Sequence, residues 1–328
     1  MKALVFKNRQ LRLDKNVPRP APGRGEALVR VSLAGVCATD LEIVKGYMDF
    51  EGVLGHEFVG VVDKVGRGGR REFVDRRVAG EINIGCGMCD CCAGGLARHC
   101  PERTVLGILG RDGAFAEYLT LPVENLHLVP DAVSDKEAVF IEPLAAAFEI
   151  IEQMGIGRGD RVCVLGDGRL GLLAAQVLAQ SAASLTVIGR HPEKLAIMDR
   201  LGISTALGSD SPGAASAAGD RFDLVVDCTG AAAGLQAAME LVKPRGTVVH
   251  KTTIAGARAL DLNRLVINEI TLIGSRCGPF KPAIKALEEK KVAVTPLIGK
   301  IFPLDNAAEA LRQAGRKGEL KILIDMNA

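Results

Sequence analysis

The chain has 328 residues, with 41 Lys and Arg against 39 Asp and Glu, and nine cysteines. At roughly 100 to 200 residues per domain, that length predicts two domains with a sizeable core. The formal charge of +2 is scattered along the chain, which leaves no electrostatic footprint for nucleic acid or an anionic membrane, so small partners are expected.

The opening MKALVFKNRQLRLDKN alternates apolar and polar residues like a first strand. It lacks the apolar core and cleavage site of a secretory leader, and a cytoplasmic protein is expected. EALVRVSLAGV, EFVGVVDKVG, RRVAGEINI and GAFAEYLTLP follow, all with β-branched or alternating patterns bounded by Gly, Pro or Asp. They predict a mostly β region up to about residue 135. Within it, GVCATD and GHEF bring forward Cys37, His56 and Glu57, residue types that zinc accepts as ligands. Each motif is weak alone. His99, His127, His191 and His250 have no such company and are not expected to bind metal.

The run GCGMCDCCAGGLARHC sets Cys86, Cys89, Cys92 and Cys100 in C-x2-C-x2-C-x7-C spacing. Such short gaps let four thiolates turn toward one point and close a tetrahedron. With no position left for water, the predicted site is structural zinc, contributing to folding rather than chemistry. Four buried or redox cysteines, or an iron–sulfur cluster, are the alternatives, and Cys91 leaves the choice of ligand open. Clustering of this kind argues against a secreted disulfide framework. AVFIEPLAAAFEII at 138–151 is broken by Glu142, Pro143 and Glu149, short of the roughly 20 apolar residues that span a bilayer.

From about residue 144 the strands VCVLG, LTVIG, LVVDCTG and TVVHKT alternate with helical LGLLAAQVLAQ and EKLAIMDRLG, which predicts an α/β fold with a parallel sheet. VCVLGDGRLG carries Gly166, Gly168 and Gly171 in G-x-G-x-x-G spacing between a strand and a helix that opens at Arg169 and Leu170. In that context the glycines supply a tight turn, close approach to a pyrophosphate and helix packing, so a dinucleotide is predicted. The second strand should end on an acid if a ribose 2′-hydroxyl is to be read. Gly189 stands there instead, followed by Arg190 and His191. Loss of the carboxylate makes room for a 2′-phosphate that a guanidinium can pair, which predicts NADP over NAD. The small polar stretch 208–220 reads as a surface loop. After Gly274, PAIKALEEKK and AAEALRQAGRKG read as helices and LKILIDM as a last strand, able to complete either domain.

Taken in order, GVCATD, GHEFVGVV, the four-cysteine run, IEPL and VCVLGDGRLG resemble the zinc-containing medium-chain dehydrogenases, the alcohol dehydrogenase superfamily, over essentially the whole chain. The resemblance implies a β-rich GroES-like catalytic domain from residues 1–143 and 277–328, a Rossmann doubly wound parallel sheet over 144–276, and an active site in the cleft. It implies one catalytic and one structural zinc, a small alcohol or carbonyl substrate, and a homodimer or homotetramer. Cys37 and His56 match the catalytic zinc ligands. Glu57 and Glu142 are both named for that zinc without ranking, Glu142 standing where alcohol dehydrogenases often have cysteine and polyol dehydrogenases glutamate, which leans the substrate toward polyols, sugars or secondary alcohols. Asp40 matches the carboxylate that orients the histidine, and Thr39 the hydroxyl that bonds the substrate alcohol. Where the family often ends its proton relay on histidine this chain has Glu42; either Glu42 takes over or the proton leaves through water. Arg276 resembles a basic residue near the cofactor. Two rivals are a zinc-independent enone or quinone reductase and a non-catalytic binding protein on the same fold.

Overall fold

The computed structural model describes residues 1–182, 184–208, 221–254 and 260–328. All of the 208–220 stretch except Gly208 lies outside them. The chain divides into two compact units, one formed by Met1–Glu142 with Phe280–Ala328 and the other by Pro143–Pro279.

In chain order, after an antiparallel pair of strands at Ala3–Lys7 and Gln10–Asp14, the first unit runs through strand β1 (Glu26–Gly35), helix α1 (Ala38–Val44) and strands β2 (Glu57–Val65), β3 (Arg77–Gly80), β4 (Tyr118–Pro122) and β5 (Leu126–Leu128). Helix α2 (Ile141–Gln153) begins as this segment ends. The second unit then runs β6 (Arg161–Leu165), α3 (Arg169–Leu178), β7 (Ser184–Gly189), α4 (Pro192–Arg200), β8 (Ser204–Leu207), β9 (Phe222–Asp227), α5 (Gly234–Leu241), β10 (Val242–His250) and β11 (Thr271–Gly274). The chain returns to the first unit with α6 (Phe280–Glu288), β12 (Ile298–Pro303), α7 (Ala307–Ala314) and β13 (Lys321–Asp325).

The second unit holds a six-stranded sheet in the order β8-β7-β6-β9-β10-β11, every pairing parallel. Parallel strands need helical crossovers that cover the sheet, and β6 is accordingly buried from Val162 to Leu165 rather than alternating. Strand order reverses between β6 and β9, the point where the loops after two neighbouring strands part and a ligand crevice opens at their carboxyl ends.

The first unit is built on a seven-stranded sheet running β5-β3-β2-β1-β13-β12, with β4 also paired to β1. The late strand β13 lies antiparallel to β1, Leu323 opposite Gly35, while β2 flanks β1 on its other side with Glu57 opposite Gly35. LKILIDM therefore completes the first unit. The four-cysteine run is held between Asn83–Ile84 and Thr104–Leu106, which pair antiparallel. Among the described residues no helix is long and apolar enough to cross a membrane.

Candidate active site

Cys37 caps α1, and Asp40 at the third helical position reaches back to accept the Cys37 backbone N–H at 2.8 Å. This is the acidic half of a capping box, which explains why C-A-T-D starts a helix here. The other Asp40 oxygen lies 3.2 Å from Nδ1 of His56, both side chains being almost wholly buried. His56 follows Gly55, whose φ of +95° and whose packing against the Phe115 ring leave no room for a side chain. That turn brings the histidine to the start of β2 beside Glu57. The ligand atoms of Cys37, His56 and Glu57 all lie within 4.8 Å of one another.

This pocket is strongly polarised. Burial alone would raise the Cys37 thiol, but His56 and Lys321 beside it pull it down to about 6. Burial would lower His56, yet Asp40 and Cys37 outweigh it and raise the imidazole well above its usual range. A thiolate, a histidine and a carboxylate in one buried spot match the donor set zinc takes at a site with an open position. Thr39 Oγ1 stands 3.7 Å from Cys37 Sγ. Glu42, one turn on, bonds Lys45 at 2.8 Å. Glu142 sits in the first turn of α2 and, among the described residues, is outside the Cys37–His56–Glu57 set.

The sequence reading missed Lys321. Its ammonium pairs with Oε2 of Glu57, and both residues are 2 % exposed or less; burial pushes the lysine down to about 8. Room for the pair depends on Gly35, where a Cβ would lie 2.6 Å from Glu57 Oε2 and 2.7 Å from Lys321 Cε. The signal was slight: a lysine opening the apolar run KILID, 264 residues away from its partner.

Cys86, Cys89, Cys92 and Cys100 form a second set within 4.8 Å, and Cys91 is not in it. All four are free thiols. Cys89 Sγ lies 3.6 Å from Cys92 Sγ and 3.7 Å from Cys100 Sγ. These spacings are close to the edge of about 3.8 Å that a zinc tetrahedron with Zn–S bonds of about 2.3 Å requires, whereas a disulfide needs about 2.05 Å and an iron–sulfur core spreads its thiolates wider. Backbone N–H groups of Met88 and Cys89 aim at Cys86 and draw its thiol down to about 7.

In the second unit, Gly166 ends β6 at φ +116°, and a Cβ on it would strike the backbone of Cys228 and Thr229 after β9. Gly171 lies against the Gly166 carbonyl, where a Cβ would come within 2.1 Å. Gly168 caps α3 and faces open space, its nearest atom 3.9 Å from a built Cβ. With Arg169 and Leu170 in the first turn, the helix N-terminus, the open glycine and the switch point together form a cradle suited to a pyrophosphate. Asp227 and His250 end β9 and β10 as a pair, Nδ1 to Oδ2 2.8 Å. The Arg276 carbonyl accepts the Lys251 ammonium at 3.2 Å.

One expectation changes here. The space beside Gly189 is not vacated: Asp167, between the first two glycines, fills it. Asp167 Oδ2 accepts the N–H groups of Arg190 and His191 at 2.6 and 2.7 Å. Burial would raise this carboxyl, but those bonds and the His191 ring hold it below the usual carboxylate range.

Residues 23–131 match the model of the alcohol dehydrogenase GroES-like domain, and residues 170–290 that of the zinc-binding dehydrogenases. The chain is 29% identical over 321 residues to sorbitol dehydrogenase of Halalkalibacterium halodurans, covering 94% of this chain and 93% of that protein. It is 30% identical over 302 residues to the starvation-sensing protein RspB of Escherichia coli, covering 89% of each. Among solved structures it superposes on an alcohol dehydrogenase, RspB of E. coli CFT073 with NADH, at TM-score 0.90, 29% identity and 99% coverage of both chains. A protein described as a zinc-binding dehydrogenase of Sinorhizobium meliloti 1021, bound to NADP, gives 0.88 at 27% identity, with 99% of this chain and 98% of that one covered.

Proposed function

The chain belongs to the zinc-type medium-chain dehydrogenases, and on that premise we propose that it transfers a hydride between a polyol, sugar or secondary alcohol and a nicotinamide dinucleotide. The observation that carries the reading is the convergence of Cys37, His56 and Glu57 in one buried pocket with Asp40 behind the histidine. Sorbitol dehydrogenase, L-galactonate-5-dehydrogenase and D-arabitol-phosphate dehydrogenase among the relatives support the substrate class.

Cys37 and His56 would hold the metal, with Glu57 the nearest carboxylate and Glu142 in reserve outside the set. Bound zinc supplies a Lewis acid for the alcohol or carbonyl oxygen, and bound nicotinamide supplies the hydride acceptor or donor. Asp40 fixes the histidine ring so that Nδ1 faces the carboxylate and Nε2 is left for the metal. Lys321 neutralises Glu57, so the pocket does not gather two uncompensated negative charges before metal enters. Thr39 stands at the edge of the site to pass the alcohol proton outward, and Glu42 follows it along α1. Gly166, Gly168 and the first turn of α3 would receive the pyrophosphate. At the ribose, Gly189 and Arg190 argue for the phosphate that the sequence predicts. Asp167 stands against it, since a carboxylate and a phosphate dianion would compete for the same N–H donors.

The test is metal analysis with kinetics. Two zincs per chain are expected, and Cys37→Ser or His56→Ala should abolish oxidation of a polyol panel while NADH fluorescence on binding persists. Absence of metal, or normal turnover in both variants, would favour the zinc-independent reductase instead.

A further inference from the structure

We propose that Asp167, placed between the first two glycines of the β6–α3 loop, reads the 2′ position of the adenosine ribose and selects the unphosphorylated dinucleotide. The inference rests on the dinucleotide reading above and names the residue that decides which dinucleotide binds.

In this corner the acid comes from the loop and not from the strand end. A side chain at Gly189 would begin 2.5 Å from Asp167 Oδ2, 2.6 Å from its Cβ and 2.8 Å from its Cγ. An acid can therefore occupy this corner from the loop or from the end of β7, but not from both. The chain has glycine at the strand end and aspartate in the loop, so the carboxylate expected at the strand end is present, delivered from the neighbouring backbone.

Its position is fixed. One oxygen accepts the N–H groups of Arg190 and His191 at 2.6 and 2.7 Å, and His191 Nδ1 lies 3.0 and 3.1 Å from the two oxygens. The Asp167 side chain is 9% exposed. Successive backbone N–H groups flanked by a histidine and an arginine are what an anion seeks, and here an internal anion already holds them. A 2′-phosphate would have to expel a buried carboxylate from its donors or lie against it, like charge on like. A 2′-hydroxyl can instead donate to the carboxylate, whose remaining acceptor positions are not exhausted by these bonds. With Asp167 removed, the two N–H groups, Arg190 and His191 stay behind as a phosphate-binding set.

The full chain is titrated with NADH and with NADPH by nicotinamide fluorescence, alongside Asp167→Ser and the isosteric Asp167→Asn, each checked for folding by circular dichroism. The wild type should bind NADH about a hundredfold more tightly than NADPH, the scale of a desolvated like-charge contact. Both variants should narrow or invert that ratio, chiefly by a gain for NADPH, with Asn separating loss of charge from loss of shape. Equal wild-type affinities, or variants that weaken both dinucleotides by one common factor, would overturn the proposal and leave Asp167 a tether of the loop. A folded wild type that binds neither dinucleotide would instead bring down the dinucleotide reading itself, and this proposal with it.

Discussion

Lys321 and Glu57 illustrate how much a single buried pair can carry. Two charges this deep are costly to desolvate, and their attraction offsets the cost only while both remain. Lys321→Met leaves the buried Glu57 carboxyl without its ammonium partner and should destabilise the first unit by about 3–5 kcal/mol, read as a lowered denaturant midpoint; Lys321→Arg should recover much of it. Asp167 makes a different prediction, in pH. Because its folded carboxyl is held below the unfolded value of about 3.9, its stabilisation is complete above that value and is lost as pH falls through the lower folded one. Asp167→Ala should therefore cost about 1–3 kcal/mol, the scale of bonds to a charged acceptor, in urea melts at pH 7 and 5. The gap should begin to close only as pH falls below about 3.9. A gap that widened on acidification would reject the carboxylate as its source.

At the scale of elements, the β6–α3 junction is where sequence and structure speak most directly to each other. Gly171→Ala would set a methyl group 2.1 Å from the Gly166 carbonyl, so α3 must shift away from its strand. Dinucleotide fluorescence should vanish and the second unit should melt earlier, with the zinc content unchanged. This junction was legible because its glycines, strand and helix are contiguous. The alternation of strand and helix after residue 144 and the four cysteines were legible for the same reason, each signal being local or carrying its own spacing. GVCATD and GHEF are each weak alone, and the Cys37–His56–Glu57 grouping was legible only through the resemblance to the zinc-containing medium-chain dehydrogenases. Lys321 was not, because its partner lies across a sheet that periodicity cannot register. Asp167 was in plain view within GDGRLG, but its role depends on the absent side chain at Gly189, a complementarity between two loops that no single window contains. The sequence shows the missing side chain at Gly189, and only the fold shows that Asp167 fills the space from the side.

For the whole molecule, two candidate metal sets and one glycine-rich nucleotide loop give three separable losses. Cys89→Ser opens the tetrathiolate and should remove one zinc per chain and lower thermal stability. The polarised pocket around Cys37 should keep its metal and its chemistry in whatever fraction stays folded. Loss of both zincs on this substitution would show that the two sets depend on each other. The return of the chain to its first unit after Pro279 also has a consequence for biosynthesis. A ribosome working from the N-terminus has released Cys37, His56, Glu57 and the whole of 143–279 before it adds Lys321. Until then Glu57 has no ammonium beside it, and on the edge of β1 opposite β2 the Leu33–Gly35 end lacks its neighbour, β4 covering only Glu26–Arg30 there. The nucleotide-binding half should mature first on the nascent chain. Chains arrested near residue 300 should resist limited proteolysis across 143–279 while remaining open to cleavage before residue 142, so the Cys37–His56–Glu57 pocket is closed only by residues made after the whole of 143–279.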